Sequence, residues 1–296
     1  MPDKDLLIPH NFLGIPDKYT DLEKSRFVIL PIPYEGTSSY NSGTKAGPQA
    51  IINASKQVEF YDEELKIEPY KVGICTLNEL EPDASSPEKM VEKIFRVAKD
   101  LVNKKRILIG LGGEHTISIG LVKAFREKYK DLSVLQLDAH ADLRDSYQGS
   151  KYSHACVMRR INEFCIYVGV GIRSISKEEA SFARREKIKL IFAKDIKDNP
   201  GFVDDVLKSL SKNIYLSLDL DFFDPSIMPA VGTPEPGGPG WYETLDFLKK
   251  VIENKNVLGL DLVELSPLLG NITSDFLAAK LLHKIIGYIS LRKKSK

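Results

Sequence analysis

The sequence predicts a three-layer α/β/α sandwich with a mostly parallel sheet of about eight strands. Three observations support this fold class. Short, β-branched apolar runs alternate with longer amphipathic segments, the alternation repeats about eight times, and no long Pro/Gly/Ser linker or internal repeat divides the 296 residues. Strands that alternate with helices are joined by crossovers, so helices cover both faces of the sheet. We therefore expect one domain.

The apolar runs are short enough to be buried strands, and each is bounded by polar or turn-forming residues. They fall at residues 27–33, 72–77, 107–111, 133–137, 166–170, 190–192, 214–220 and 257–263. Helices are predicted where apolar residues recur at spacings of three and four, as in SPEKMVEKIFRVAKDLVNK, TISIGLVKAFREKYK, SKEEASFARREK and GWYETLDFLKKVIE. We expect residues 1–24 to form an amino-terminal extension of the domain and residues 291–296 a basic, solvated tail.

Composition excludes several classes of function. The 42 basic and 41 acidic side chains leave a net charge of +1, so no basic face for nucleic acid is expected. Three cysteines without a CxxC pair indicate neither a disulfide framework nor a zinc knuckle. No secretory signal and no apolar stretch of about 18 residues is present, which argues against a membrane partner. We expect a cytoplasmic protein.

Polar side chains follow three of the predicted strands, at the sheet edge where chemistry is expected in such folds. They belong to GGEH, DAHAD and DLD, and the candidate ligands are His115, Asp138, His140, Asp142, Asp219 and Asp221. Side chains alternate along a strand, so these carboxylates converge if the extended conformation persists. Four carboxylates in one pocket repel one another unless two divalent cations neutralise them. The sequence therefore predicts a dinuclear metal site.

The donor set favours Mn²⁺, because carboxylate oxygen dominates, imidazole is secondary and thiolate is absent; Zn²⁺, Fe²⁺, Co²⁺ and Ni²⁺ stay open. Two such ions activate water, which predicts a hydrolase. A single DxH or DxD is more often a hairpin, a cap or a solvated strand end, but three motifs together favour the metal site. His10 and His283 lie outside the motifs and are expected to be surface or packing residues.

Four motifs resemble the signatures of the ureohydrolase family, which contains arginases and agmatinases: GGEHT, DAHAD, SLDLDFFDP and DLVELSP. GTSSYNSGTKAGPQAI resembles the amino-terminal substrate-side loop of that family, and GTPEPGG is a further match. The resemblance runs from about Phe27 to about Tyr288 and is closest to agmatinase. It implies an arginase-like fold and a homotrimer or homohexamer.

The resemblance also implies residue roles around two Mn²⁺ ions per chain. One ion would be held by His115, Asp138, Asp142 and Asp219, and the other by His140, Asp138, Asp219 and Asp221, with Asp138 and Asp219 bridging. Asp142 would also orient the nucleophile. His154 would exchange a proton with solvent, and Glu264 would grip the guanidinium, a role that suits a carboxylate able to accept paired N–H donors.

The implied reaction cleaves the small cationic guanidino compound agmatine to urea and putrescine, a step of polyamine biosynthesis. The segment LRDSYQGSKYSHA resembles agmatinases and lacks the arginase pattern SGNLHG. Departures at residues 228–234 and 154–157 keep aminopropylagmatine and guanidinobutyrate open, and arginine and formiminoglutamate are further alternatives. A single-metal deacetylase would lack the full six-ligand set. A non-catalytic relative would have lost ligands or Glu264, and neither loss is seen.

Overall fold

The structure is a computed structural model that describes residues 8–199 and 201–292. Residues 1–7 of the predicted extension and residues 293–296 of the predicted basic tail lie outside these ranges. Within them, no helix is both long and apolar enough to cross a lipid bilayer.

Eight strands form one sheet in which every pairing is parallel, as the sequence predicted. The spatial order is β2-β1-β3-β8-β7-β4-β5-β6. The strands are β1 (Phe27–Ile32), β2 (Ile74–Thr76), β3 (Ile107–Gly112), β4 (Leu132–Leu137), β5 (Ile166–Ile172), β6 (Lys189–Phe192), β7 (Asn213–Asp219) and β8 (Asn256–Val263). The central strands are buried along almost their whole length, which explains their continuous apolar runs.

Helices cover both faces of the sheet, which confirms the three-layer sandwich. They are α1 (Gly47–Ser55), α2 (Pro87–Leu101), α3 (Ile117–Lys128), α4 (Val157–Asn162), α5 (Lys177–Arg185), α6 (Ala193–Asp198), α7 (Phe202–Ser209), α8 (Trp241–Asn254) and α9 (Thr273–Leu291). One apolar core contains side chains of α1, α7, α8 and α9, and the other contains side chains of α2, α3, α4 and α5.

Local sequence signals fix where two of the predicted helices begin. The hydroxyl of Ser86 accepts the backbone N–H of Lys89, and Pro87 occupies the first turn of α2, where its missing N–H costs no hydrogen bond. Ser176 and Glu179 form a reciprocal capping box at the start of α5. These caps explain why the helix boundaries fall close to the predicted ones.

Part of the predicted amino-terminal extension packs into the apolar core. Phe12, Leu13 and Ile15 are buried, and their backbone N–H groups are satisfied by side chains. Phe12 donates to Thr76 Oγ1 at 3.0 Å, and Leu13 donates to Ser55 Oγ at 2.7 Å. These contacts attach residues 12–15 to β2 and α1. The assignment of residues 1–296 to a single domain stays a prediction.

Candidate active site

Seven of the eight predicted site residues follow four neighbouring strands, β3, β8, β7 and β4, at the carboxyl edge of the sheet. His115 follows β3, and Asp138, His140 and Asp142 follow β4. Asp219 ends β7, Asp221 follows it, and Glu264 follows β8. The adjacency of these strands brings together side chains that are up to 149 residues apart in sequence. The eighth residue, His154, begins a short 3₁₀ turn beside them.

His115 lies among three carboxylates. Its Nδ1 atom is 3.1 Å from Asp138 Oδ2, 3.0 Å from Asp142 Oδ2 and 3.3 Å from Asp219 Oδ2. All four side chains are buried. A buried nitrogen facing three carboxylate oxygens at these distances needs a positive charge among them, either a proton or a metal ion.

Hydrogen bonds on the far side of the His115 ring indicate which nitrogen carries a proton. Tyr215 donates to Asp261 Oδ2 at 2.7 Å, and Ser217 donates to Asp261 Oδ1 at 2.9 Å. The Ser217 oxygen is 3.0 Å from His115 Nε2, so it accepts the Nε2 proton. When the ring is neutral, with its proton on Nε2, the lone pair of Nδ1 faces the carboxylates, as it does in a metal ligand.

A second group of donors contains His140, Asp138 and Asp221. His140 Nδ1 is 2.8 Å from Asp221 Oδ2 and 3.8 Å from Asp138 Oδ1. The other ring nitrogen lies 3.8 Å from Glu235 Oε1. Glu235, which sequence reasoning did not single out, therefore faces this nitrogen without a direct hydrogen bond to it.

The electrostatics of the site show that it lacks positive charge. Burial, together with Asp221 and Asp142, raises the pKa of Asp138 to about 7. Burial and the same kind of repulsion raise the pKa of Asp219 well above its usual range. Burial opposes the charge of His140, but Asp221 outweighs it and raises the pKa of His140 to about 11. Bound cations relieve both the desolvation and the repulsion.

The donor set therefore fits two divalent cations. Within residues 8–199 and 201–292, two groups of donors have the spacing of metal ligands, His115 with Asp138 and Asp219, and Asp138 with His140 and Asp221. Asp138 is common to both groups, as expected of a bridging ligand. Asp142 is joined to the first group through His115, whose Nδ1 lies 3.0 Å from Asp142 Oδ2.

The expected extended conformation beyond β4 and β7 does not persist. Asp142 adopts a left-handed backbone conformation with φ of 51°, and Asp221 lies in a 3₁₀ turn in which its own N–H donates to Asp219 Oδ1 at 2.9 Å. The strands end at Leu137 and Asp219, where the ladder stops. Alternation along a strand was thus the wrong reason for convergence, and turns aim these side chains into the site.

Glu264 also has a left-handed backbone, with φ of 67°. Its Oε1 atom accepts the N–H of His115 at 2.6 Å, and its own N–H donates to the carbonyl of Gly113 at 2.8 Å. Burial and the nearby Glu114 raise the pKa of Glu264 well above its usual range. Gly113 cannot be replaced easily, since a Cβ atom there would lie 2.0 Å from the carbonyl oxygen of Tyr34.

His154 is held by hydroxyl groups of the predicted substrate-side loop. Thr37 Oγ1 donates to Glu114 Oε1 at 2.7 Å and lies 3.2 Å from His154 Nδ1, so it accepts the Nδ1 proton. Ser39 Oγ is 3.2 Å from His154 Nε2 and donates to it. The sequence contained these residues in its motifs, but contacts 115 and 117 residues apart leave no local pattern.

A cavity of about 160 Å³ opens onto these residues. Arg144 and Tyr147 line it, and neither was a sequence candidate. The Arg144 guanidinium lies 5.0 Å from the centre of the Tyr147 ring, which meets the His154 ring edge to face. Both residues lie in the segment LRDSYQGSKYSHA, so the resemblance of that segment to agmatinases was a sequence signal that could have pointed to them.

Arg173, another residue that sequence reasoning missed, fixes the loop carrying Asp221. Its guanidinium donates to five backbone carbonyls, those of Gly171, Asp221, Phe222, Phe223 and Glu235. The same group therefore ties the loop of Glu235 to the ligand loop after β7.

The two remaining histidines lie outside the cluster, as predicted. His10 is exposed, with Nδ1 3.3 Å from Lys56 Nζ. His283 is buried in α9, and its Nδ1 atom lies 3.9 Å from Asp62 Oδ2.

This fold, with acidic and histidine donors at the carboxyl edge of a parallel sheet, defines a metal-dependent hydrolase class, and comparison with known proteins identifies the family. Residues 25–287 match the arginase family. The chain is 39% identical over 295 residues to the N(1)-aminopropylagmatine ureohydrolase of Synechocystis sp., which covers 97% of this chain and 96% of the relative. It is 38% identical to the agmatinase of Pyrococcus horikoshii, over 90% of this chain and 93% of the relative.

A solved structure also resembles this chain. The agmatine ureohydrolase of Thermoplasma volcanium superimposes with a TM-score of 0.87 at 33% identity, covering 97% of this chain and 96% of that chain. The protein belongs to the arginase family, whose members depend on a dinuclear metal centre. It is a ureohydrolase of the agmatinase and aminopropylagmatine ureohydrolase type, an enzyme that hydrolyses a C–N bond of a guanidino group.

Proposed function

We propose that this ureohydrolase acts on N1-aminopropylagmatine and releases urea and the corresponding polyamine. The observation that carries this choice is the 39% identity to the Synechocystis aminopropylagmatine ureohydrolase over nearly the whole of both chains. Agmatine, which the sequence analysis expected as the main substrate, has less support than aminopropylagmatine. Agmatine stays the second candidate, favoured by the names of the Pyrococcus and Thermoplasma relatives.

The chain's own residues account for binding of the guanidinium. The half-buried side chain of Glu264 lines the cavity and forms no ion pair with a lysine or arginine among the described residues, so a planar guanidinium offers it paired N–H donors. One oxygen of Glu264 is occupied by the N–H of His115, which leaves the other free for the substrate. This arrangement supports a guanidinium position beside the side chains proposed as metal ligands.

We assign His115, Asp138, His140, Asp142, Asp219 and Asp221 as ligands of two Mn²⁺ ions, supported by the predominance of carboxylate oxygen. When bound, such ions lower the pKa of water toward neutrality and so supply the nucleophile. His154 holds a proton on Nδ1 against Thr37 and exposes Nε2 toward Ser39, so Nε2 is the atom that exchanges a proton with the departing amine.

The rim of the cavity argues against arginine. Arg144 is the only lysine or arginine among the described residues that line the cavity, and it is exposed and stacked on Tyr147. An α-carboxylate bound without buried donors loses hydration without compensation, about 1 to 3 kcal/mol. We therefore expect arginine to be used at least roughly tenfold less efficiently.

The test is urea release from aminopropylagmatine, agmatine, arginine, guanidinobutyrate and formiminoglutamate with Mn²⁺, reported as kcat/KM. The proposal expects aminopropylagmatine to exceed agmatine and both to exceed the rest. A higher kcat/KM for agmatine returns the assignment to agmatinase, and efficient arginine hydrolysis overturns both. Arg144→Gln separates the cases, since only a substrate with a carboxylate should lose kcat/KM in that variant.

Assembly as a homotrimer or homohexamer and a cytoplasmic location are further parts of the proposal, supported by the family resemblance. Light scattering of the purified protein tests the first, and fractionation of the source cells tests the second.

A further inference from the structure

A second cavity, of about 310 Å³, lies at the opposite edge of the sheet from the active site. It is formed where β1, β3, β8 and β7 begin, and these are adjacent strands. The strands rise about 3.3 Å per residue, so six to eight residues separate the two cavities by roughly 20 Å. Nothing in the hydrolysis of a guanidinium uses this edge.

The charge of this cavity is one-sided. Six of its lining side chains are lysines or arginines, and no aspartate or glutamate lines it. The six are Arg26, Lys104, Lys105, Arg106, Lys212 and Arg292. The whole chain has a net charge of only +1, so this concentration of positive charge is local.

Two of these side chains are already used by the fold. Arg26 donates to the carbonyls of Ile289 and Ser290 near the end of α9, where cationic groups complement the helix dipole. Arg106 pairs with Glu23 at 2.6 Å. Structural demands therefore explain part of the cluster.

The other four have no carboxylate partner within the part of the chain that the structure describes. Lys104, Lys105 and Lys212 are exposed and make no side-chain hydrogen bond or ion pair there. Arg292 reaches only the neutral side chain of Asn256, and its buried Nε atom has no acceptor. These four cations are available to an anion.

Burial of guanidinium groups without counter-charge supports the same conclusion. Desolvation lowers the pKa of both Arg26 and Arg292, and no carboxylate offsets it. Desolvation also lowers the pKa of Arg173, but there Asp221 and neighbouring carboxylates oppose the shift. An anion in the cavity would supply this compensation for Arg26 and Arg292.

The floor of the cavity is apolar, with Ile107, Tyr129, Val257 and Ile289 among its lining residues. A cavity of this size, with an apolar floor and a cationic rim, suits a small organic ligand. We propose that it binds an organic anion that joins a multivalent phosphate-like group to an apolar body, of which a nucleotide is the commonest kind. The phosphate end faces Lys104, Lys212 and Arg292, and the body lies against Tyr129.

The test is isothermal titration calorimetry of the metal-loaded enzyme with 1,3,6-naphthalenetrisulfonate, whose sulfonates bind metals too weakly to strip the active site. Lys104→Ala/Lys212→Ala is compared with Lys177→Ala/Lys194→Ala, which removes the same charge from exposed residues of α5 and α6. We expect saturable binding that weakens at least tenfold in the first double variant and less than twofold in the second. Equal weakening, or no saturable binding below about 1 mM in the wild type, overturns the proposal.

Adenosine monophosphate and inorganic phosphate form a second arm. Tighter binding of the nucleotide, lost in Tyr129→Ala, supports the role of the apolar floor, and equal affinities overturn that part of the assignment. Because binding is read by heat and not by urea release, failure here leaves the proposed hydrolytic function untouched. Conversely, an inactive enzyme that still binds the anion contradicts only the hydrolytic proposal.

Discussion

Glu264 Oε1 accepts the backbone N–H of His115 at 2.6 Å, so the carboxylate proposed to hold the substrate is fixed directly to a proposed metal ligand. The main chain reinforces this link, since the N–H of Glu264 donates to the carbonyl of Gly113. Substrate position and metal position are therefore set by one short hydrogen-bonded unit between β3 and β8. A displacement of the Glu264 carboxylate therefore also displaces His115, and the reverse holds. Small displacements of reacting groups slow a reaction strongly.

Glu264→Gln tests the charge without disturbing the shape. The glutamine oxygen can still accept from His115, so we expect two metal ions per chain to be retained. The guanidinium loses its counter-charge, and kcat/KM for urea release should fall about 100-fold or more. Elemental analysis and a urea assay measure the two effects, and loss of metal from this variant would show that Glu264 is a ligand or a structural support.

Asp138→Asn tests the residue common to both donor groups. The carboxylate of Asp138 is fully buried and is fixed by Gln136 Nε2 at 2.8 Å and by the N–H of His140 at 2.6 Å. Removing one negative charge from the shared ligand should weaken retention of both ions and abolish turnover. The measurement is metal content after dialysis against a chelator, and undiminished content for both ions contradicts the shared role.

Thr37→Val tests how His154 is held, with Thr37→Ser as the matched control. Valine cannot accept the Nδ1 proton or donate to Glu114, whereas serine can do both. We expect kcat to fall at least tenfold in the valine variant with KM little changed, and to recover in the serine variant. Nitrogen NMR of the His154 ring should report a mixture of tautomers only in Thr37→Val. Equal kcat values for the two variants would remove Thr37 from this role.

His283 makes stability depend on pH independently of the active site. Burial lowers the pKa of His283 to about 4, while the unfolded chain titrates near 6.5. Protonation is thus favoured in the unfolded state, so stability is full above pH 6.5 and declines as the pH falls toward 4. The loss reaches roughly 3 kcal/mol, since each pKa unit corresponds to about 1.4 kcal/mol.

The comparison is the free energy of unfolding by urea at several pH values for wild type, His283→Leu and His10→Leu. We expect a shallower decline between pH 6.5 and 4 for His283→Leu alone, because the His283 ring is buried whereas the His10 side chain is exposed. Parallel curves for all three proteins contradict the assignment. The metal-site carboxylates also titrate, but they contribute equally to the three curves.

The strands were predictable because a buried parallel strand appears as a continuous apolar run, and β1, β3 and β8 begin within one residue of the predicted runs. The residues proposed as metal ligands could be picked out from the sequence because they lie at or just beyond the ends of those runs. The left-handed turn at Asp142 could not be predicted, because tertiary contacts orient its side chain and no local sequence rule requires that turn. The contacts of Arg173 and Thr37 join segments that are distant in sequence, so they too could not be predicted from local sequence patterns.

The carboxylate of Glu114 accepts the backbone N–H groups of Gly36 and Thr37 and so holds one loop of the active site. That loop and the proposed metal ligands are two separate parts of the site, and one can lose its structure without the other. The side chains proposed as metal ligands follow buried strands, whereas the loop that carries Thr37 and Ser39 accepts only a few hydrogen bonds from the rest of the protein and donates three to the carboxylate of Glu114, 77 and 78 residues away. Local opening of that loop, which costs less free energy than global unfolding, would leave the ions in place. A molecule can therefore be folded and fully metallated yet unable to complete a turnover.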